Sequence, residues 1–443
     1  MDMLSGSLWD KILKFALPVA LTVVLEQMFN AVDIAVLGNY SAVQTVSVAA
    51  VGTNISIVGF LVMLGFGISM GSNVVIAQSI GRKDLENVKR AVHTSALFAV
   101  FGGVLLSLVG FALSGLVLGM MSLPQEVYEL AVSYLRTYLL GVPIVFVYLL
   151  SASIFRSIGQ TKLPLLALVV ANVVNLVLDL VFVVVLHWDV MGVALATVLA
   201  NLTSALILVR LLMQRNDALK LSLHNLQLDK ECLKEILHIG VPTGIQNAVF
   251  SVANVVIQGA INSLGTIVIA ASSAAFPIEL FAYSVFSSFS QACTTFVGQN
   301  YGARQLDRCK KILKLCLLEN AIATALAVLL VLTTGKAILR FINDTPEVVE
   351  IGYQRLVIVF SAYAFSLTYD TISGYLRGFG FSFLPSLLTI IGVCGVRLYW
   401  VFFVFPYVRT FENIMLVYPV SLGITAALVI GALWWIRPTK RCA

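Results

Sequence analysis

Residues 12–37, ILKFALPVALTVVLEQMFNAVDIAVL, form a run in which Lys14, Glu26 and Asp33 are the only charged residues. A bilayer core about 30 Å thick takes roughly 20 apolar residues to cross as a helix. The run is longer than the roughly 7–15-residue core of a secretion signal and carries two acids, so it reads as a retained membrane helix. Working outward from it, similar runs recur at 46–75, 91–115, 131–154, 163–186, 190–213, 236–261, 266–297, 312–334, 353–376, 384–405 and 413–436. Composition agrees: of 443 residues, 59% are hydrophobic and only 11% charged, too few charges to cover a water-soluble surface. The expected fold is an all-α polytopic membrane protein of twelve transmembrane helices.

Basic residues give the orientation, because cytoplasmic loops collect them. Most of the 28 Lys and Arg fall on one side, from Lys11, Arg82, Lys83, Lys89 and Arg90 through Lys220, Lys230 and Lys234 to Arg437, Lys440 and Arg441. The other side holds Arg136, Lys336, Arg340, Arg355 and Arg409, and Arg397 lies within a span. Both termini are therefore expected in the cytoplasm. The formal charge of +6 does not point to nucleic acid, since the basic residues lie between apolar runs and form no separate domain. The longest polar segment, 214–235, reads as a cytoplasmic linker between lobes at 1–213 and 236–443. The six cysteines, Cys232, Cys293, Cys309, Cys316, Cys394 and Cys442, show no CxxC pair and no metal spacing, and read as reduced filler.

The two halves repeat each other. Lys11–Pro18 (KILKFALP) resembles Lys234–Pro242 (KEILHIGVP), and Ala77-Gln78-Ser79-Ile80-Gly81 resembles Gly298-Gln299-Asn300-Tyr301-Gly302. Arg156, Gly159 and Pro164 pair with Arg377, Gly380 and Pro385. Six spans per half make the repeats parallel, related by a pseudo-two-fold axis along the membrane normal, with a cavity between them and alternating access as the expected mechanism.

Four segments together carry a family resemblance: Gln27–Asp33 (QMFNAVD), Gly65–Ser69 (GFGIS) with Ala77–Gly81, Phe155–Gly159 (FRSIG), and Thr294–Ala303 (TTFVGQNYGA). In this order they resemble the multidrug and toxic compound extrusion (MATE) transporters, and Asn175–Asp179 (NLVLD) is similar to the bacterial DinF-like branch. The resemblance implies two six-helix lobes and export of small, cationic or amphipathic organic compounds in exchange for inward H⁺ or Na⁺. It implies no cofactor and no catalytic residue, and partners limited to the small-molecule substrate and the lipid bilayer, with no nucleic acid and a monomer as the working form.

Ionisable residues inside spans are costly and therefore candidates for function. The first half has Glu26, Asp33 and Asp179 and, on this reading, no buried cation to pair with them. Three such carboxylates must be protonated or hold a mobile cation. Asn172, Asn175 and Asp179 share one face of span five. Asp179 lies roughly 10 Å from the outer end at about 1.5 Å per residue, and Asp33 and Thr197 fall at similar depth. Two carboxylates, an amide and a hydroxyl suit a hard cation, and by resemblance Asp33, Asn175, Asp179 and Thr197 match the family's cation site, with Na⁺ as its only possible metal. Glu26 and Asn172 are secondary candidates. The repeat places Phe250, Ile257, Val396 and Trp400 opposite Glu26, Asp33, Asn175 and Asp179, so coupling is expected in the first half only. In the second half, Glu279, Asp370 and Arg397 are also secondary candidates: they either form an internal ion pair or triad or serve in moving the proton or substrate.

Pro18 interrupts its helix and is a hinge candidate. Gly65, Gly67 and Gly71 read as close-packing positions. Phe29, Phe60, Met63, Tyr283, Phe286 and Phe289 are candidates to line the cavity, offering π faces to a flat cation. A lipid-linked saccharide flippase of the same wider superfamily is the alternative within transport. An embedded enzyme lacks support, because none of the four histidines is spaced with a carboxylate as a ligand pair. The orientation has a direct test. In a chain otherwise free of cysteine, a membrane-impermeant maleimide added outside cells should label Arg340→Cys and spare Lys220→Cys; the opposite pattern would invert the topology.

Overall fold

The computed structural model describes residues 1–41, 43–121 and 123–441, and Cys442 lies outside them. Every described element is a helix. They are α1 Trp9–Tyr40, α2 Gln44–Gly81, α3 Leu85–Gly119, α4 Gln125–Ser157, α5 Lys162–Val185, α6 Asp189–Met213, α7 Lys230–Asn262, α8 Thr266–Gly302, α9 Leu306–Ile342, α10 Pro346–Ser361, α11 Tyr363–Gly378, α12 Phe383–Val404 and α13 Phe411–Ile436, with a short turn of helix at Leu223–Asn225 and a short terminal helix at Pro438–Arg441. Among them 11 are individually long and apolar enough to span a membrane, and α10 with α11, bent by 44°, make the twelfth.

The chain divides into two packed units. One is Leu21–Gly244 with Met1, the other Asp2–Ala20 with Ile245–Ala443. The division therefore falls inside α1 and α7, two residues beyond Pro18 and Pro242, and not in the polar segment after α6. That segment is shorter than expected, since α7 starts at Lys230. It is also tied down on the first unit. Arg215 Nη1 donates to Gln160 Oε1 (3.1 Å), the Ser222 N–H to His93 Nε2 (3.2 Å) and the Asp229 N–H to Thr94 Oγ1 (3.0 Å). His93 Nε2 must then be the acceptor, which puts the ring proton on Nδ1, 2.7 Å from the Lys89 carbonyl. The Arg215 guanidinium beside Asp217 holds that carboxyl below its ordinary range.

In the first unit α4 is the central helix, packing on α2, α3 and α6. Its apolar window is 78% buried within the protein, against 17% for α3, whose Phe101, Leu105, Leu108 and Leu116 form an outward apolar surface that only lipid would cover. In the second unit α8 packs on α9, α10 and α11, and α11 on α13. The five described cysteines are all free and buried.

The repeat is written in the backbone. Lys83 (φ 60°) and Arg304 (φ 58°) are left-handed at equivalent positions, an uncommon conformation for a side chain with a Cβ. Gly159 (φ 76°) and Gly380 (φ 96°) end α4 and α11 in the same way. Wide π-helical turns at Leu180–Val185 and Trp400–Val404 also correspond, and a further one lies at Ile390–Gly395.

Of the expected close-packing glycines, Gly67 and Gly71 meet backbone. A Cβ at Gly67 would overlap Gly244, and one at Gly71 the carbonyl of Ile236. Gly59 on the same helix has open space. Gly67→Ala should therefore cost at least about 1–3 kcal/mol, read as a lowered melting midpoint in detergent, while Gly59→Ala leaves the midpoint in place.

Candidate functional site: a buried oxygen cluster on α1, α5 and α6

Asp33, Asn175 and Asp179 are fully buried, and Thr197 nearly so. Asn175 and Asp179 lie one turn apart on α5, so both project to one side. Asp179 is the last residue before the wide turn, an irregularity often found at functional sites. Thr197 Oγ1 donates to Asp33 Oδ2 (3.0 Å), and Asn175 Nδ2 to Asp33 Oδ1 (3.4 Å), with Thr197 Oγ1 at 3.5 Å from the same amide. Asn201, one turn along α6, donates to the Thr197 carbonyl (2.9 Å). The Asp179 carboxyl stands beside that of Asp33. Neither Asp179 oxygen receives a donor, and nor does Asn175 Oδ1. The pocket is thus rich in acceptors, poor in donors and has no Lys or Arg paired to it.

Two residues of this environment escaped the sequence reading. Tyr134 and Tyr138 of α4 stack at 6.3 Å between centroids, and both lie within electrostatic range of Asp33, Tyr134 also of Asp179. Their i, i+4 spacing was the available signal: two hydroxyls on one stripe of α4, flanked along it by the apolar Leu130 and Val142.

The secondary candidates separate. Asn172 turns its amide to its own helix, at the Leu168 carbonyl (3.0 Å), and stays outside the cluster. Glu26 accepts from Tyr148 Oη (3.4 Å) and lies within electrostatic range of Arg156. Arg156 is buried, so the expectation that the first half has no interior cation is wrong. Its guanidinium reaches back from the end of α4, which a count of loop charges assigns to the surface.

The second half also needs correction. Glu279 does not pair with Arg397. It takes a bidentate bridge from Arg355, at 2.5 and 3.0 Å, with Arg355 only 1% exposed. Arg355 belongs to the interior and not to an outer loop. Asp370 meets Arg377 at 3.5 Å, and that guanidinium also donates to Ser290 Oγ (3.2 Å). Arg397 has no carboxylate partner. It donates to Asn254 Oδ1 (2.7 Å) and Ser421 Oγ (3.4 Å) and lies over the rings of Tyr418 and Phe250. Of the cavity candidates, Phe29, Phe286 and Phe289 are buried in the cores of their own units, Phe286 edge-on to Tyr283 and Tyr363. Phe60 and Tyr283 are exposed and Met63 half-buried, so three of the six stay free of the core.

With the geometry in place, known proteins give the family. The MatE family model matches residues 18–181 and 242–402, once per half and starting each time at the helix proline. The chain belongs to the MatE family. It is a transporter and not an enzyme. Among its relatives, the Bacillus subtilis protein named "Probable multidrug resistance protein YoeA" is 25% identical, covering 98% of this chain and 95% of its own length. The Thermotoga maritima protein named "Probable multidrug resistance protein NorM" is 25% identical over 88% of this chain and 84% of its own. In fold, the chain matches an outward-facing MATE transporter structure with a TM-score of 0.89 at 20% identity, covering 99% of this chain and 98% of that one. A Pyrococcus furiosus transporter described as having a binding pocket of reversed polarity matches at 0.87 and 20% identity, with the same coverage.

The corrected pairing is testable. Arg355→Met strands the Glu279 carboxylate and should cost about 3–5 kcal/mol. Adding Glu279→Gln should restore much of that in thermal unfolding. Arg397→Leu should show no such recovery with either Glu279→Gln or Asp370→Asn.

Proposed function

We propose that this MATE-family protein is a secondary antiporter that exports small cationic or amphipathic organic compounds in exchange for an inward cation bound at Asp33, Asn175, Asp179 and Thr197. The observation that carries the proposal is the orphaned acceptor set: both Asp179 oxygens and Asn175 Oδ1 are buried with no donor. A buried carboxylate without a counter-charge costs several kcal/mol, and a bound H⁺ or Na⁺ removes that cost. Asp33, with its two donors, anchors the pocket, while Asp179, with none, is the group that gains most from the cation. The oxygens suit a hard monovalent ion, and among the described residues no group of three or more His, Cys, Asp or Glu gathers as a metal site. The names of the relatives as multidrug proteins support the substrate class.

In this reading the protein sits in a bacterial plasma membrane with both termini and the 214–229 segment cytoplasmic, and it works as a monomer. Pro18 lies on α1 two residues before Ala20, where the chain passes from one packed unit to the other, and 15 residues before Asp33. It is the proposed hinge by which occupancy of the pocket changes the course of that helix.

The test is efflux of a fluorescent organic cation from proteoliposomes under an imposed Na⁺ or pH gradient. Asp179→Asn and Asp33→Asn should insert normally and lose gradient-driven transport by at least about tenfold, since the amide cannot hold the coupling cation. Val396→Ile, at the position equivalent to Asn175, should retain it. Full coupling in both aspartate variants would place the site elsewhere, and transport indifferent to every gradient would favour the flippase alternative.

A further inference from the structure

A second buried carboxyl has no partner, and it lies in the other unit. Glu319 of α9 is 2% exposed, and neither of its oxygens meets a donor. Its neighbour in sequence, Asn320, is engaged elsewhere, donating to the Phe286 carbonyl and to Thr371 Oγ1 at 3.1 Å each. Cys316, one turn earlier on α9, lies within electrostatic range of Glu319 and is hydrogen-bonded to Cys293 of α8. These cysteines belong to an apolar core shared with Ile12, Phe15 and Phe296.

The charged groups on the packed elements do not neutralise Glu319. Glu279 and Arg355 are committed to each other, as are Asp370 and Arg377. Lys440 and Arg441, on the short terminal helix that touches α9, form no ion pair with it. Among the described residues a charged side chain that acts on Glu319 is Asp10, on the part of α1 that packs with this unit. Asp10 spans two environments. Its Oδ2 is held by Lys14 at 3.2 Å and its side chain is 46% exposed, while its Oδ1 is buried without a donor. The segment before it is pinned in place. Asn300 Nδ2 donates to the Met3 carbonyl (3.1 Å), and Arg308 Nη2 to the carbonyls of Ser5 (3.0 Å) and Gly6 (3.1 Å).

We propose that Glu319 is a second proton-binding group of this transporter, separate from the α1–α5–α6 cluster, and that it exchanges its proton with water at the N-terminal face through Asp10. A proton is the ligand that fits. One carboxyl among thiols and hydrocarbon offers too few oxygens for Na⁺, whereas a single transfer to one oxygen removes the buried charge. The exposed side of the Asp10 carboxylate takes a proton from hydronium, releasing water, and hands it on to a Glu319 oxygen, which leaves Asp10 ionised again. The reverse sequence returns it.

The test is infrared difference spectroscopy on the full-length protein in lipid, with glutamate ¹³C-labelled at its side-chain carboxyl. At neutral pH, where exposed glutamates are ionised, the wild type should show a protonated-carboxyl band carrying the isotope shift. The band should disappear in Glu319→Gln and persist in Glu26→Gln. It should also persist in Asp33→Asn and Asp179→Asn, so that its fate is independent of the coupling site proposed above. Glu319→Asp moves the carboxyl out of the labelled set and should also remove the band, which covers the case in which the glutamine variant fails to insert. After a pH jump the band should relax at least about tenfold more slowly in Asp10→Asn. Absence of a labelled band in the wild type, or its survival in the Glu319 variants, would overturn the site. Unchanged relaxation in Asp10→Asn would overturn the route.

Discussion

Inside hydrocarbon, an acceptor with no donor cannot borrow one from water, and every buried acid in this chain must be settled by that constraint. Glu279 is settled by the bidentate Arg355 and Asp370 by Arg377. Glu26 has the Tyr148 hydroxyl and the nearby Arg156. Asp33 has Thr197 and Asn175. Asp179 and Glu319 receive no donor, Asp179 having only the Asp33 carboxyl beside it. A fixed ion pair consumes its own charge and leaves no reason to bind a mobile ion. The residues that remain after this accounting are therefore the ones whose energy depends on what arrives from solution. That ordering ranks Asp179 above Glu26, the same order in which the sequence reading placed them, and supplies the physical reason for it.

The duplicated scaffold makes the contrast sharper. Arg156 and Arg377 are equivalent, and each lies near an acid of its own half, Glu26 or Asp370. The left-handed turns at Lys83 and Arg304 and the glycines after α4 and α11 repeat as well. Where the first half has Asp33 and Asp179, however, the second has Ile257 and Trp400. Close by in that half stands Arg397, held by Asn254 and two aromatic rings without a carboxylate. The backbone repeats while the interior charge changes sign. The halves therefore cannot respond alike to an entering cation, and a functional asymmetry follows from a nearly symmetric framework.

The spans were legible because apolar length is a local property, and so was the repeat, because a fixed spacing of glycine, arginine and proline survives in a single sequence. The four members of the oxygen cluster were brought together by depth and helical face, and the structure does join them. The counter-ions were not legible. Arg355 and Glu279 are 76 residues apart, and nothing in either segment names the other. Arg355 and Arg156 lie near span ends, where a loop count takes them for surface charges, yet long guanidinium side chains reach well back into the protein. Glu319 escaped notice within a run of leucines. The aromatic candidates fared unevenly because a phenylalanine suits a core as well as a cavity, and only packing tells Phe286 from Phe60.

Helix α1 links these separate accounts. Its first turns, with Asp10, pack with one unit, and its later turns, with Asp33, with the other. Pro18 lies between them and removes one helical donor, which is the physical ground for the hinge proposed there. A ligand shifts a conformational equilibrium only by its difference in affinity between the two states. A cation at Asp33 and Asp179 supplies such a difference in the proposed cycle if the pocket closes around it in one state and opens in the other. A proton on Glu319 would bias the opposite end of the same helix by neutralising the one buried acid near Asp10. Two ionisable sites, each with one acid on this proline-broken helix, would then be coupled through its geometry. No wire of contacts is needed between them: each site has only to prefer one course of α1 over another.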